Sequence, residues 1–336
     1  MLFQSIIFLL GLGILYFGAD WLIRAASSIA HRFGIRPMVI GLTVVALGTS
    51  MPEFILNFYA VLTGEDALAI GNIIGSNIAN IALILGVSAV MLPLAVDATT
   101  LRKEYPIMVA VALLFYLLAS DGMISRIDGG ILLLGLLAFM IFIVVDARNH
   151  SRIRRRTAER LRDTGEPSGI PASESVPDLD ITGPAMKARK RVGLLLGGMI
   201  ALTLGARLMV VSAIEMARML DIHPVVIGLT IVAIGTSLPE LAASIMCIIR
   251  KDSDMSIGNV MGSNMLNILF VVGLVSIIQP MSVEPVSISQ HFPVMIGFTL
   301  VLYPIARFGY SISRFQGGIL LAGFAGYLIW LLLPHI

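Results

Sequence analysis

Ten long apolar stretches dominate the sequence and limit what the chain can fold into. They cover residues 4–30, 37–62, 68–93, 105–120, 128–146, 191–219, 224–249, 256–279, 291–306 and 315–333. A helix that crosses a bilayer needs about 20 mostly apolar residues, and only the fourth and ninth stretches are clearly shorter. Only 13% of the residues are charged, against about 25% in soluble domains. The sequence therefore predicts an all-α integral membrane protein with ten transmembrane helices. Because no basic residue precedes the first stretch, we expect it to be retained rather than cleaved.

A polar segment, residues 147–190, separates the fifth stretch from the sixth. It begins with seven arginines between 148 and 162, continues through Pro, Ser, Gly and acidic residues, and ends with Lys187, Arg189 and Lys190. Its middle has too little apolar surface to fold and is predicted to be a flexible linker. Because membrane spans flank the basic tract, the positive-inside rule favours a cytoplasmic loop over a nucleic-acid site. Both termini then face outward, and the chain divides into a first transmembrane repeat (1–146), a cytoplasmic basic linker (147–190) and a second repeat (191–336).

Two motifs occur twice with the same separation. GLTVVALGTSMPE at 41–53 returns as GLTIVAIGTSLPE at 228–240, and GNIIGSNIAN at 71–80 returns as GNVMGSNMLN at 258–267. Both pairs are 187 residues apart, which indicates a duplication. Each half contains five predicted helices, an odd number, so the second half enters the membrane from the opposite side. Such inverted repeats are typical of secondary transporters, whose sites lie near the bilayer midplane.

Glu53 and Glu240 lie deep in apolar spans at equivalent positions. A carboxylate at that depth is costly and is by default a functional candidate. Each follows a proline, Pro52 or Pro239, which lacks the N–H that a helix would use and thereby frees a carbonyl group. Such a carbonyl needs another partner inside a membrane. The two glutamates and the carbonyls near them are therefore predicted to bind a cation.

Further oxygen-bearing residues share a helix face with the glutamates or line the repeated second motif. Residues three and four positions apart lie on one side of a helix, which joins Thr49 and Ser50 to Glu53, and Thr236 and Ser237 to Glu240. The second motif places Ser76 and Asn80, and equivalently Ser263 and Asn267, on one stripe. Asn72 and Asn259 continue these stripes, and for them a role in hydrogen bonding between helices is an equally good interpretation.

The candidate ligands are all oxygens, which favours hard cations. Neither motif contains histidine or cysteine, and the single cysteine, Cys247, excludes a cysteine metal centre. Calcium takes about 6–8 oxygen ligands in flexible geometry, whereas magnesium gives up its water reluctantly. Two glutamates balance the charge of one Ca²⁺ or of two Na⁺, so occupancy by one ion would exclude the other. No cofactor is predicted, since Ca²⁺ and Na⁺ would be transported ions, and nothing in the sequence requires an oligomer.

The paired motifs GTSMPE with GNIIGSNIAN, and GTSLPE with GNVMGSNMLN, resemble the two alpha repeats of the cation/calcium exchanger superfamily, specifically its prokaryotic sodium/calcium antiporter branch. The resemblance covers the chain except residues 147–190. It implies a ten-helix antiporter of the prokaryotic plasma (inner) membrane, with the first and sixth helices sliding as a gate. It further implies Glu53 and Glu240 as shared ligands, with Thr49 and Thr236 carbonyls at the calcium site. Sodium would be held by Ser50, Ser76, Ser237, Ser263 and the carbonyls of Ala46 and Ala233, and Asn80 and Asn267 would lie at the centre.

Asn267 departs from part of the family, in which some members have aspartate at this position. The asparagine removes a third charge, which makes potassium co-transport less expected and leaves sodium selectivity open. An H⁺/Ca²⁺ exchanger of the same fold, with protonatable Glu53 and Glu240, is the main alternative, and a cation channel is a further one. A membrane enzyme is not predicted, because no catalytic constellation occurs at membrane depth. Asp20 and Arg207 occupy equivalent intramembrane positions and are left outside the site, whether they pair, steer ions or lie at the interface.

Overall fold

The computed structural model describes residues 1–164, 186–220 and 233–333 of the 336-residue chain. Most of these residues are helical. The helices are α1 Leu2–Phe33, α2 Pro37–Thr49, α3 Met51–Leu62, α4 Asp66–Met91, α5 Ala98–Arg102, α6 Glu104–Ala119, α7 Arg126–Thr164, α8 Ala188–Met219, α9 Ala233–Thr236, α10 Leu238–Ile249, α11 Ser253–Ile278, α12 Ser287–Arg307 and α13 Arg314–Leu332. Four two-residue strands join them, namely β1 Leu94–Ala95, β2 Met123–Ile124, β3 Met281–Ser282 and β4 Ser311–Ile312.

The helices correspond to the predicted spans in order. Among the described residues, seven helices are long and apolar enough to cross a bilayer, and the bent pair α2–α3 makes an eighth. The fourth predicted span corresponds to α6, which has 16 residues. The seventh corresponds to α9 and α10 together with residues 224–232, which lie outside the described part of the chain.

The helix that forms the fifth span continues far beyond residue 146, where the prediction ended it. α7 runs without interruption to Thr164, so the first part of the basic segment has a helical backbone. The sequence boundary was placed where charged residues begin, but arginine is a good helix former and a helix does not have to end where the membrane does. The flexible middle predicted for the linker falls on residues 165–185, outside the described residues.

α4 and α11 lie at the centre of the molecule. In each of them 78% of the residues in an apolar 18-residue stretch are buried. In the five other long helices that could span a membrane, the buried share of the equivalent stretch is 33% or less. Those outer helices expose large apolar side chains such as Leu10, Leu134 and Ile200, as a lipid-facing surface requires. The second motif of each repeat, in α4 and α11, is therefore the most enclosed part of the described chain.

Two short ladders connect the repeats. β1 pairs antiparallel with β4, and β2 pairs antiparallel with β3. Each ladder therefore joins one strand of the first repeat to one strand of the second. Counting ten membrane crossings along the chain places β1 and β4 at one end and β2 and β3 at the opposite end, as these pairings require. The sequence did not predict these strands, because two residues are too few to show an alternating pattern.

α1 and α8 cross at equivalent glycines. A Cβ atom built on Gly198 would lie 2.7 Å from the Leu22 nitrogen and 2.9 Å from the Gly18 oxygen. The equivalent crossing is as tight, because a Cβ atom on Gly205 would lie 2.6 Å from the Leu15 nitrogen. Without a hydrophobic driving force between helices in lipid, small residues allow the close backbone contact that holds them together.

Candidate cation-binding site

Each of the two repeated GTS motifs lies where a helix is broken. α2 ends at Thr49 and α3 begins at Met51, with a 45° bend between them. Ser50 at the break has φ −82° and ψ 3°, and Ser237 between α9 and α10 has φ −87° and ψ 5°. Both residues depart from helical geometry in the same way, so the duplicated sequence gives the same break twice.

The prolines account for where the second half-helices start. Pro52 occupies the first turn of α3, and Pro239 the first turn of α10, where a missing N–H costs nothing. The sequence predicted that each proline frees a carbonyl group, and the structure shows that each helix is broken two residues before its proline, at Ser50 and Ser237. Carbonyl groups at the end of α2 carry partial negative charge, whereas the first turn of α3 favours an anion. The break therefore presents groups suited to a cation beside a position suited to a carboxylate.

Glu53 and Glu240 occupy these first turns and are buried, with 1% and 0% of their surfaces exposed. Ser50 donates to the Oε1 atom of Glu240 over 3.2 Å, so the break of one repeat contacts the carboxylate of the other. Neither oxygen of Glu53 nor Oε2 of Glu240 has a hydrogen-bond partner among the described residues. A bound cation would compensate two buried carboxylates that few donors stabilise.

The side chains of the second motif surround the same region. Asn80 and Asn267 each begin a π-helical turn, at Asn80–Ile84 in α4 and Asn267–Val272 in α11. Such turns interrupt the regular hydrogen-bond pattern and are frequent at functional sites. All the predicted side-chain ligands of α4 and α11 are at most 1% exposed. Several of the predicted polar atoms have no hydrogen-bond partner within the described part of the chain: Ser76 Oγ, Ser237 Oγ, Asn80 Oδ1 and both amide atoms of Asn267.

Asn72 and Asn259, which the sequence left between two interpretations, form hydrogen bonds across the repeats. The Thr49 hydroxyl lies 3.2 Å from Asn259 Oδ1, and the Thr236 hydroxyl lies 3.1 Å from Asn72 Oδ1. The Thr49 hydroxyl also lies 3.4 Å from the Ser263 hydroxyl. Each asparagine thus contacts the threonine at the helix break of the opposite repeat.

Asn264 is a site neighbour that sequence reasoning missed. Asn80 donates to its Oδ1 atom over 2.9 Å. With its equivalent, Asn77, it lines a cavity of about 10 Å³ at the interface of the two repeats. Both residues are part of the quoted motifs, but they lie one position from the predicted stripes. Their role depends on the approach of α4 to α11, which periodicity does not report.

The helices that carry the predicted site residues therefore meet, with direct contacts joining Ser50 to Glu240 and Thr49 to Ser263. Ser76 and Asn267 are buried on these helices, and their side chains make no hydrogen bond within the described residues. The Ala46 carbonyl, at the end of α2, accepts from the Ser50 N–H over 2.9 Å. Ala233 begins α9, and nothing is described of the residues immediately before it.

Two acidic residues outside the site, Asp20 and Glu215, lie in ion pairs elsewhere. Asp20 pairs with Arg24 at 2.8 Å and with Arg250, which follows α10. Glu215 pairs with Arg218 at 2.9 Å and is partly exposed. Asp20 therefore holds α1 against the end of α10.

A second buried network lies at the start of α2. Arg36 contacts Glu104 at 2.6 Å and Asp146 at 3.3 Å, and Lys103 contacts Asp146 at 2.7 Å. These pairs connect α2, α6 and α7 within the first repeat.

Comparison with known proteins identifies the family. The family model described as sodium/calcium exchanger protein matches residues 3–145 and 190–333. The chain is 37% identical over 330 residues to the putative antiporter CaxA of Alkalimonas amylolytica, covering 97% of this chain and 98% of that protein. It is 35% identical to the inner membrane protein YrbG of Escherichia coli K12, covering 98% and 96%. It is 32% identical to the sodium/calcium exchanger MaX1 of Methanosarcina acetivorans, covering 96% and 97%.

A solved structure supports the same assignment. The sodium-calcium exchanger NCX_Mj, soaked with Na⁺ and Sr²⁺, superimposes with a TM-score of 0.77 at 32% identity over 97% of each chain. The predicted fold class, ten transmembrane helices in two inverted repeats, is confirmed by this match together with the family model. The predicted resemblance and the assignment to transport rather than catalysis are confirmed as well. The chain is therefore an integral membrane antiporter and belongs to the sodium/calcium exchanger family.

Proposed function

We propose that this antiporter exchanges Na⁺ for Ca²⁺ at the site between the two helix breaks. The observation that carries the proposal is the burial of Glu53 and Glu240 together, one from each repeat, with most of their oxygens lacking donors among the described residues. Their combined charge of −2 balances one Ca²⁺. Sodium ions neutralise the same charge, so the two ions compete for one site and their movements are coupled.

Oxygen ligands of several kinds surround the carboxylates, as calcium coordination requires. In this proposal the Glu53 and Glu240 carboxylates and the Thr49 and Thr236 carbonyls bind Ca²⁺. Sodium ions use the same carboxylates with hydroxyl groups and carbonyls, and Asn80 and Asn267 lie between the sodium positions. The sodium ligands are Ser50, Ser76, Ser237, Ser263, Ala46 and Ala233.

Access to the site alternates between the two sides through sliding of α1 and α8. Their glycine crossing supports movement of the two helices as one unit, since the close backbone contact holds them together. We place the protein in a prokaryotic inner membrane, as YrbG is described. The arginine-rich sequence of residues 147–190 lies in the cytoplasm and both termini lie outside.

A proton/calcium exchanger of the same fold is the second candidate. The observation that favours it is Glu53, whose two oxygens receive no hydrogen bond from the described residues, so a proton could occupy either oxygen without displacing a donor. Protonation of both glutamates would release Ca²⁺ as effectively as sodium does. A cation channel would conduct Ca²⁺ without a counter-ion.

Uptake of ⁴⁵Ca²⁺ into proteoliposomes separates these candidates. Vesicles loaded with Na⁺ are compared with vesicles loaded with K⁺ and with vesicles loaded at acid pH. Uptake that requires internal Na⁺ is the expected result. Uptake driven by the proton gradient alone would replace the proposal with the proton exchanger, and uptake independent of both would indicate a channel.

The site assignment is tested by Glu53→Gln and Glu240→Gln. Each change removes one of the two charges that balance Ca²⁺, so we expect sodium-dependent uptake to fall at least about 100-fold, the upper end of the loss found when only a group that orients a metal ligand is removed. The matched control is Glu215→Gln, which makes the same substitution at a partly exposed ion pair outside the site. Near-normal uptake in either site variant would refute the assignment.

A further inference from the structure

The hydroxyl of Thr49 stands between two acceptors. Its Oγ1 atom lies 3.2 Å from Asn259 Oδ1 and 3.3 Å from the Ala46 carbonyl oxygen. A hydroxyl has one proton to donate, so these two acceptors compete for it. The Ser263 hydroxyl, at 3.4 Å, can donate to Thr49 as well as accept from it.

The Ala46 carbonyl oxygen can accept only a limited number of hydrogen bonds or cation contacts. A carbonyl oxygen offers two lone pairs, and one of them accepts the Ser50 N–H at 2.9 Å. The second is the one that a cation would use. If the Thr49 hydroxyl donates to Ala46, that second lone pair is occupied, whereas donation to Asn259 leaves it available.

The orientation of Asn259 is fixed by its other contacts. Its amide nitrogen lies 3.0 Å from the Ser244 hydroxyl and 3.3 Å from the backbone oxygen of Glu240. A carbonyl oxygen only accepts hydrogen bonds, so the amide nitrogen must face Glu240 and the amide oxygen must face Thr49. Asn259 is completely buried, so bulk water does not compete for this acceptor.

We propose that Asn259 is a positioning residue that draws the Thr49 hydroxyl away from Ala46 and so keeps the Ala46 carbonyl available to sodium. This inference rests on the proposed exchange of Na⁺ for Ca²⁺ at the same site. Asn259 itself contacts no ion in this account. It acts from the second repeat on a carbonyl of the first, so the sodium affinity of one half-site depends on a side chain of the other.

The test measures sodium affinity directly in purified full-length protein. ⁴⁵Ca²⁺ is bound to the detergent-solubilised protein, and the Na⁺ concentration that displaces half of it is determined after correction for the Ca²⁺ affinity of each variant. Asn259→Ala leaves the Thr49 hydroxyl with Ala46 as its main acceptor. We expect the half-displacing Na⁺ concentration to rise about 10-fold, the lower end for groups that orient metal ligands.

Thr49→Val in the Asn259→Ala background is the decisive variant. Valine keeps the backbone carbonyl at residue 49 and the side-chain shape, but it has no hydroxyl to occupy Ala46. The double variant should therefore return to the sodium affinity of Thr49→Val alone. If Asn259 had only a structural role, removing a further hydrogen bond would worsen the defect. Ser276→Ala, which deletes a buried hydroxyl bonded to its own helix α11, controls for polar deletion in that helix.

Each outcome bears on a different claim. Wild-type protein that fails to bind Ca²⁺, or whose Ca²⁺ is not displaced by Na⁺, overturns the proposed function and this inference with it. Normal displacement in the wild type with an unchanged Asn259→Ala variant overturns the inference alone, and so does a double variant no better than Asn259→Ala. If Asn259→Ala does not fold, Asn259→Ser with and without Thr49→Val provides the same comparison with a smaller loss of polarity.

Discussion

Replacing Gly198 with alanine tests the close packing of α1 against α8. A Cβ atom there would lie 2.7 Å from the Leu22 nitrogen and 2.9 Å from the Gly18 oxygen. Ordinary contact begins near 3.4 Å, so the added methyl group is about 0.7 Å too close. The atoms it meets are backbone atoms, which cannot rotate away as a side chain can. The two helices must therefore separate, and overpacking of this kind costs about 1–3 kcal/mol.

Gly197 is the matched control, since it is the preceding residue of the same helix. A Cβ atom on Gly197 would lie 3.7 Å from the Trp21 ring, at ordinary contact distance. Alanine has a higher helix propensity than glycine by up to about 1 kcal/mol, and this gain is shared by both variants. The difference between Gly198→Ala and Gly197→Ala therefore reports the steric clash without the propensity change.

The assay is thermal unfolding in detergent followed by size-exclusion chromatography, with Ca²⁺ uptake measured on the same preparations. We expect Gly198→Ala to melt several degrees below Gly197→Ala, as a loss of about 1–3 kcal/mol implies. We expect its uptake to be slower, because the helices that slide no longer fit closely. Equal melting temperatures and equal uptake rates for the two variants would refute the packing argument.

Two further predictions concern the buried ion pairs. Glu104→Gln should destabilise the protein by about 1.5–3 kcal/mol, because the Glu104 side chain is 1% exposed and its charged hydrogen bond to Arg36 is lost, while Arg36 keeps Asp146 at 3.3 Å. A melting temperature like that of the wild type would contradict this. Asp20→Asn should destabilise more than Arg24→Gln, since the Asp20 side chain is 12% exposed and holds Arg250, whereas that of Arg24 is 54% exposed. An exposed pair contributes about 1 kcal/mol at most, so equal losses in the two variants would show that Asp20 does not hold α1 to the end of α10.

The duplicated motifs made the main features of the fold predictable. A 187-residue offset repeated over two long motifs requires equivalent structures, and five helices per repeat require opposite orientation in the membrane. The breaks at Ser50 and Ser237 were predicted only as a lost hydrogen bond near each proline, because proline identifies a disrupted helix but does not specify how far the chain departs from helical geometry. The two buried glutamates followed from the cost of a carboxylate in an apolar span.

Helix ends outside the membrane were less predictable. α7 passes residue 146 and continues to Thr164, because the end of an apolar run sets where a membrane ends and not where a helix ends. The strand pairs β1–β4 and β2–β3 were missed for a different reason. Their formation depends on segments more than 150 residues apart meeting at the same side of the membrane, and no local pattern records that meeting.

The sequence by itself determined the membrane class, the inverted repeats, the family and the set of oxygen-bearing residues available for a cation. The family followed from the resemblance of the paired motifs, and the other properties depend on composition, periodicity and spacing along the chain. Only the tertiary structure decided which of those residues contact one another. Asn72 and Asn259 had two equally good interpretations in the sequence, and the structure places each against the threonine of the opposite repeat. The physical reason is that a hydrogen bond between repeats depends on how closely α2 approaches α11, and that distance is set by the packing of Gly41 against Gly258, which neither motif specifies alone.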